Sequence, residues 1–199
     1  VQLDNNSALR INLHSDDLAN HRDHYDGSRL GINPTMKIAL NANTTLDLSY
    51  EYADHERFID RGIPTINGRP DESLADIVFG DSNSNIQTLE ASIMRAQLTQ
   101  KMSETKKLNF SMTLSSFEKM YQNLYASGYD GTLVTMDGYR DPTERDNFIV
   151  TGNLVNEIST GNMTHTLLMG VEFIDTENKN LRYDAFWSST SDDNEVFKK

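Results

Sequence analysis

At four places along the chain every second residue is apolar and the residues between are polar. Leu46, Leu48, Tyr50 and Tyr52 alternate with Asp47, Ser49 and Glu51, and Leu108, Phe110, Met112 and Leu114 alternate with Asn109, Ser111, Thr113 and Ser115. Met163, Leu167, Met169, Val171 and Phe173 repeat the pattern against Thr164, Thr166 and Glu172, and Phe148, Val150, Leu154 and Ile158 give a looser version. Successive strand side chains leave opposite faces of the pleat, so each segment predicts a ribbon with one apolar and one polar face. The segment 87–103 also permits a helical spacing through Leu89, Ile93, Ala96 and Gln100. The alternation of Met94, Ala96, Leu98 and Met102 with Arg95, Gln97, Thr99 and Lys101 favours a strand.

Strand-like runs cover 7–19, 28–42, 45–60, 87–103, 106–126, 143–159 and 163–180. Asn41-Ala42-Asn43-Thr44, Ser103-Glu104-Thr105-Lys106 and Thr160-Gly161-Asn162 separate three pairs of them and predict tight hairpin turns. The other connections, 21–27, 61–85 and 127–141, read as longer loops, and with Pro142 at the edge of the last they hold Pro64 and Pro70. Several runs far exceed the roughly 5 or 6 residues of an ordinary strand. Long strands with short turns at one end and long loops at the other predict an all-β, antiparallel up-and-down meander. It would form part of a large transmembrane β-barrel, with about seven strands, open when taken alone.

Hydrophobic residues make up 37% of the 199 residues, and no stretch approaches the roughly 20 apolar residues of a helical span. A barrel strand needs only about 9–11 residues, half of them apolar, so a mean hydropathy of −0.59 suits such a wall. The net charge of −12 and the lack of a basic stripe argue against a nucleic-acid partner. Acidic residues gather in the loops, at Asp71, Glu72, Asp76, Asp81, Asp192, Asp193 and Glu195, and read as solvated surface rather than a cation site. The absence of cysteine removes disulfides, thiolate metal sites and cysteine nucleophiles. Val1 opens in what reads as mid-strand, without a signal segment, which predicts a piece of a longer chain. Tyr50, Tyr52, Phe58, Tyr121, Tyr125 and Phe173 lie near strand ends, either as an interfacial aromatic girdle or as ordinary strand formers.

Asp60-Arg61-Gly62-Ile63-Pro64, Asn67-Gly68-Arg69-Pro70 and Phe79-Gly80-Asp81 follow one another directly after the strand ending Leu48-Ser49-Tyr50-Glu51-Tyr52. With Gly31-Ile32-Asn33-Pro34-Thr35 before them, and His165-Thr166-Leu167-Leu168 and Gly170-Val171-Glu172-Phe173 after, this succession resembles TonB-dependent siderophore receptors over roughly residues 7–180. The resemblance implies a barrel of about 22 strands, of which residues 1–199 are a middle portion. No plug domain, TonB-contacting box or closing C-terminal strand is recognisable in them. It also implies a bacterial outer-membrane location, contact with outer-membrane lipid, and import of a ferric siderophore driven by a TonB complex acting through the missing plug. The chelated ion would be cargo, and no cofactor is expected.

A bulky, oxygen-rich chelate would be met by aromatic faces and charged donors rather than by direct metal ligands. The loop candidates are Arg61, Arg69, Tyr129, Tyr139, Arg140, Tyr183, Phe186 and Trp187. For Arg61 and Arg69 the leading reading is that they brace their own loop by pairing with its acids. Tyr183 to Trp187 read equally as an aromatic edge at the membrane surface. His21-Arg22-Asp23-His24, with His14, is the nearest approach to a metal-ligand spacing and reads as polar loop. Glu51, Glu90, Glu157 and Glu172 are expected to line a polar interior. Without a serine elbow, an HExxH pair or a phosphate loop they do not make an enzyme. The competing function is a soluble acidic all-β binding module for carbohydrate or protein, whose apolar faces would pack on a second sheet.

Overall fold

The computed structural model describes residues 1–193 and 195–198. In chain order the elements are β1 (Ser7–Ala19), β2 (Asp26–Asn41), β3 (Thr44–Phe58), β4 (Thr65–Ile66), β5 (Arg69–Pro70), a 3₁₀ turn (Glu72–Leu74), β6 (Ile86–Lys101), β7 (Lys106–Tyr129), β8 (Leu133–Thr160), β9 (Met163–Asn180), β10 (Tyr183–Asp184) and β11 (Glu195–Lys198). The long strands pair antiparallel in the order β1-β2-β3-β6-β7-β8-β9, while β10 and β11 join β8 beyond the end of β9. The sheet does not close within these residues, and β4 and β5 form a separate small hairpin.

Register turns the alternation of single strands into bands. Leu46, Leu98, Phe110, Gly152 and Val171 form one cross-strand row, and Leu48, Ala96, Met112, Val150 and Phe173 the next. This face has no covering layer: Met94 is 47%, Phe110 48% and Val171 74% exposed. A sandwich would have buried these side chains, so the second-sheet alternative fails here. The opposite face carries a lateral polar network. Asn147 Nδ2 donates to Ser115 Oγ (2.9 Å), Thr176 Oγ1 to Asn147 Oδ1 (3.0 Å) and Thr99 Oγ1 to Asn109 Oδ1 (3.2 Å), and Arg95 meets Glu51 (3.5 Å).

The 127–141 segment is not the expected loop. β7 and β8 run 24 and 28 residues and meet in a tight turn, where Asp130 Oδ1 accepts from the backbone N–H groups of Thr132 (2.8 Å) and Leu133 (2.7 Å) and Gly131 takes φ +99°. Pro142 is therefore inside β8, not beside a loop. Its carbonyl accepts from Leu181 N, so its missing N–H faces the break between β9 and β10, where no ladder donor is required. A β-bulge between Ala126 and Gly128 absorbs the mismatch near the top of the hairpin.

The connection 59–85 folds back on this tall hairpin. Leu74 and Phe79 are buried against Val134 and Met136, with Ile63, Leu124, Ala126, Tyr129 and Trp187 around them. The three motifs each have a local physical cause. Asp60 Oδ1 accepts from Gly62 N (2.8 Å), Gly62 has φ +81°, and Ile63 joins the cluster. Asn67 and Gly68 take φ +52° and +76°, as a two-residue hairpin turn between β4 and β5 requires. At Gly80, φ is +144° and a Cβ would collide with the Asn85 side chain. Asn85, 1% exposed, donates through Nδ2 to Ile59 O (3.0 Å) and Leu124 O (2.9 Å) and accepts at Oδ1 from Leu124 N (2.8 Å). Its amide thus stands in for a neighbouring strand along the edge of β7 that β6 no longer covers.

Two further expectations change with the register. Glu90 pairs with Asp54 and Glu118 on the face of Tyr50 and Tyr52, so it does not line the polar side as Glu51, Glu157 and Glu172 do. Tyr121 and Tyr125 fall on the polar face and belong to no girdle, and Phe58 is buried against His24. Chain position near a strand end does not specify a face, whereas odd or even spacing from a paired residue does.

Candidate functional site

Above the apolar rows the polar face changes character. Arg57, Gln87, Tyr121 and Asp141 form one row, Asn123 and Tyr139 the next, and Tyr125 and Asp137 the one above. Three tyrosines on adjacent strands at this spacing must meet. Tyr121 stacks with Tyr139 at a centroid distance of 6.0 Å, and Tyr125 meets Tyr139 edge-on at 6.1 Å. Arg61 enters from the folded-back connection: Nη1 donates to Tyr139 OH (3.0 Å) and Asn123 Oδ1 (3.2 Å), with Cζ 4.6 Å from the Tyr125 ring centroid. From the other side Arg182 lies 4.3 Å from the Tyr139 centroid and grips Asp141 bidentately, Nε to Oδ1 at 2.8 Å and Nη2 to Oδ2 at 2.5 Å. Gln87, Lys119, Tyr121, Tyr139, Asp141 and Arg182 line an open concavity of about 580 Å³.

The Arg182 guanidinium holds the Asp141 carboxyl below its ordinary range, and Asp141 raises Arg182 in return. Burial, then the hydrogen bond to Asp137 Oδ2 (2.9 Å), raises the Tyr125 phenol, which stays a neutral donor at physiological pH. A carboxylate with a depressed folded-state pKa stabilises at pH above its unfolded value and loses that contribution as pH falls through the depressed one. The Arg182 clamp should therefore hold from neutral pH through the usual carboxylate range and release only below it. Hydrogen exchange at Leu181 to Asp184 measured against pH checks this, and release already at mildly acidic pH would contradict it. Among the described residues one buried donor stays unused: Asn123 is 1% exposed and its Nδ2 has no partner there.

No family model matches the chain. Two curated relatives, both metal-pseudopaline receptors of Pseudomonas aeruginosa, are 28% identical over 170 residues and 26% identical over 173, each match covering 82% of this chain. The chain spans 23% of the length of either. Among solved structures, the ferric-catecholate import receptor Fiu of E. coli K12 superposes with TM-score 0.79 at 18% identity, over 89% of this chain and 31% of that one. The FpvAI–pyocin S2 complex gives 0.84 at 13% identity (98% and 26%), and BauA, the ferric preacinetobactin receptor of Acinetobacter baumannii, 0.78 at 12% (97% and 29%). The chain has the fold of a stretch of such a receptor's barrel.

In a transmembrane barrel of this fold, a bare apolar band is the face set toward lipid and the polar face is the lumenal one. Of the candidates read from sequence, the sheet brings together Arg61 and Tyr139. Arg140 pairs with Tyr183 on the opposite, outward face, and Phe186 is exposed. Trp187 packs into the Leu74–Phe79 cluster, meets the Phe197 ring at 5.6 Å and donates Nε1 to Asp193 O (3.1 Å). Tyr129 packs against the same cluster, and Arg69 is exposed in the small β4–β5 hairpin.

Arg61 does not brace its loop against the loop's acids. Arg22 does so instead: Nε donates to Asp60 Oδ2 at 2.6 Å, and the guanidinium reaches the carbonyls of Ala75 and Ile77. The reason is reach, because Asp60 turns toward the β1–β2 connection while Arg61 points to the face of β7 and β8. Sequence reasoning also missed Tyr121, Asn123, Tyr125 and Arg182 as neighbours of Tyr139. The available signal is the two-residue spacing of Tyr121, Asn123 and Tyr125, which places them together on whichever face one of them occupies.

Proposed function

We propose that the full-length protein is an outer-membrane receptor that takes up metal chelates, ferric siderophores foremost, by TonB-coupled transport. Residues 1–199 supply part of its barrel, as wall strands and as a ligand-facing stem, and the plug through which a TonB complex acts lies elsewhere in the receptor. The observation that carries this reading is the division of one sheet by register into a bare apolar band and a polar face crowned by the tyrosine and arginine cluster. The relatives' roles, metal–pseudopaline and ferric-chelate reception, support the same reading. The cluster's chemistry suits a coordinatively saturated ion: tyrosine faces offer flat area to the chelator and guanidinium groups donate to its outward oxygens.

Tyr139→Ala removes the shared partner of Arg61, Tyr121, Tyr125 and Arg182. In the full-length receptor it should weaken chelate binding by roughly ten- to a hundredfold, the equivalent of about 1.4–2.8 kcal/mol. Equilibrium binding in detergent and uptake of labelled ferric chelates by iron-restricted cells test it. Failure of the wild-type receptor to bind or import any metal chelate would overturn the proposal.

A further inference from the structure

The register sorts charge as well as hydrophobicity, and in opposite senses on the two faces of the stem. Outward, above the apolar rows, Asp54, Glu90, Glu118 and Glu144 stand in one cross-strand row that ends on Lys179, which pairs with Glu144 (3.2 Å). At the same height the lumenal face carries Arg57, Lys119 and Arg145, with Arg61 above them. Among the described residues none of these four cations lies within 4.0 Å of a carboxylate oxygen, although Arg182 nearby is matched to Asp141. Arg57 donates only to the neutral Gln87 Oε1, from Nε at 3.0 Å and Nη2 at 2.7 Å. Arg145 donates to Asn178 Oδ1 (3.2 Å), and Arg61 to Asn123 and Tyr139. Lys119 lines the concavity. A chain of net charge −12 thus gathers positive charge where its cargo would sit, with Asp141, already held by Arg182, the carboxylate that Lys119 feels across the concavity, and beneath Arg61 keeps the unpaired, buried amide donor of Asn123. Guanidinium groups held by neutral partners keep their full charge and their orientation, which is how an anion-focusing surface is built.

We infer that the site takes a net-anionic metal chelate, one whose outward oxygens belong to carboxylate, hydroxycarboxylate or catecholate groups. Arg57, Lys119 and Arg61 receive the oxygens, and its flat portion rests on Tyr121 and Tyr139. This inference rests on the receptor reading and narrows it. Neutral hydroxamate complexes have no charge to gain from this face and are disfavoured against anionic ones of equal size.

The test is binding of chelates of defined charge to the full-length receptor in detergent, read by quenching of intrinsic fluorescence. The probes are an anionic ferric aminopolycarboxylate, ferric citrate and a ferric tris-catecholate, set against an uncharged ferric tris-hydroxamate. At least one anionic probe should bind more tightly than the hydroxamate and weaken as salt rises. Arg57→Gln and Lys119→Gln should each weaken it on the order of tenfold. Lys179→Gln, which removes an outward-facing cation, should leave it unchanged. Unfolding by heat on a gel establishes that each variant barrel assembles. Preference for the neutral probe, or anionic binding indifferent to both substitutions, would overturn the charge inference while leaving the receptor intact. Binding of none of the probes would count against both.

Discussion

Met112→Arg should destabilise the complete barrel by roughly 2–4 kcal/mol in a reversible folding titration, the cost of a cation at the middle of the bilayer. Met112 sits in the second of the fully apolar rows, between Ala96 and Val150, with Phe110 and Leu114 below and above it on the same face. Its immediate neighbours in the flanking rows, Leu98, Phe110 and Gly152 on one side and Met94, Leu114 and Phe148 on the other, offer no carboxylate to an arginine placed there. Leu48→Arg, in the same row, should cost a similar amount. Thr113→Arg, one residue along, points into the polar face toward Arg95 and Ile149 and should cost far less, since water reaches it. Equal costs at 112 and 113 would contradict the assignment of lipid and lumenal faces.

The second large effect is local. Asn85→Ala leaves the backbone N–H and C=O of Leu124 and the C=O of Ile59 without their side-chain partner in a buried position. Each such stranded group costs roughly 1–3 kcal/mol, and opening by the 59–85 connection relieves them. The expected loss is roughly 3 kcal/mol of opening free energy, seen as faster proteolysis and hydrogen exchange at 61–85 with the barrel otherwise unchanged. Asn85→Asp retains the acceptor for Leu124 N and loses the two donations, so it should fall between. A wild-type proteolysis pattern for Asn85→Ala would show that the Leu74 and Phe79 cluster alone holds the connection in place.

Both effects trace to features of different legibility. The strand runs 7–19 and 163–180 match β1 and β9 residue for residue, because one-sided burial imposes a strict period of two and a turn at each end stops it. The three tight turns were equally readable from Asn, Gly, Ser and Thr at the hairpin tips. The top of β7 and β8 was not. Gly128, Gly138 and Pro142 read as loop, yet there the hairpin is held by pairing with β10 and β11 and by the packing of Leu74 and Phe79, contacts between residues far apart in sequence.

The candidate site divides in the same way. Arg61 and Tyr139 are suitable residue types, but type does not say which face a side chain leaves by, and Arg140, beside Tyr139, leaves by the other. Nor could position reveal that Arg22 rather than Arg61 would take Asp60.

The order of residues was enough to determine that this protein forms long antiparallel strands with one oily and one wet side, since alternation is a property of neighbours in the chain and needs no fold to express it. Which tyrosines meet which arginines, and how acids and bases separate across the sheet, were decided only by the tertiary structure. Cross-strand register sets those distances, and register depends on every paired strand at once.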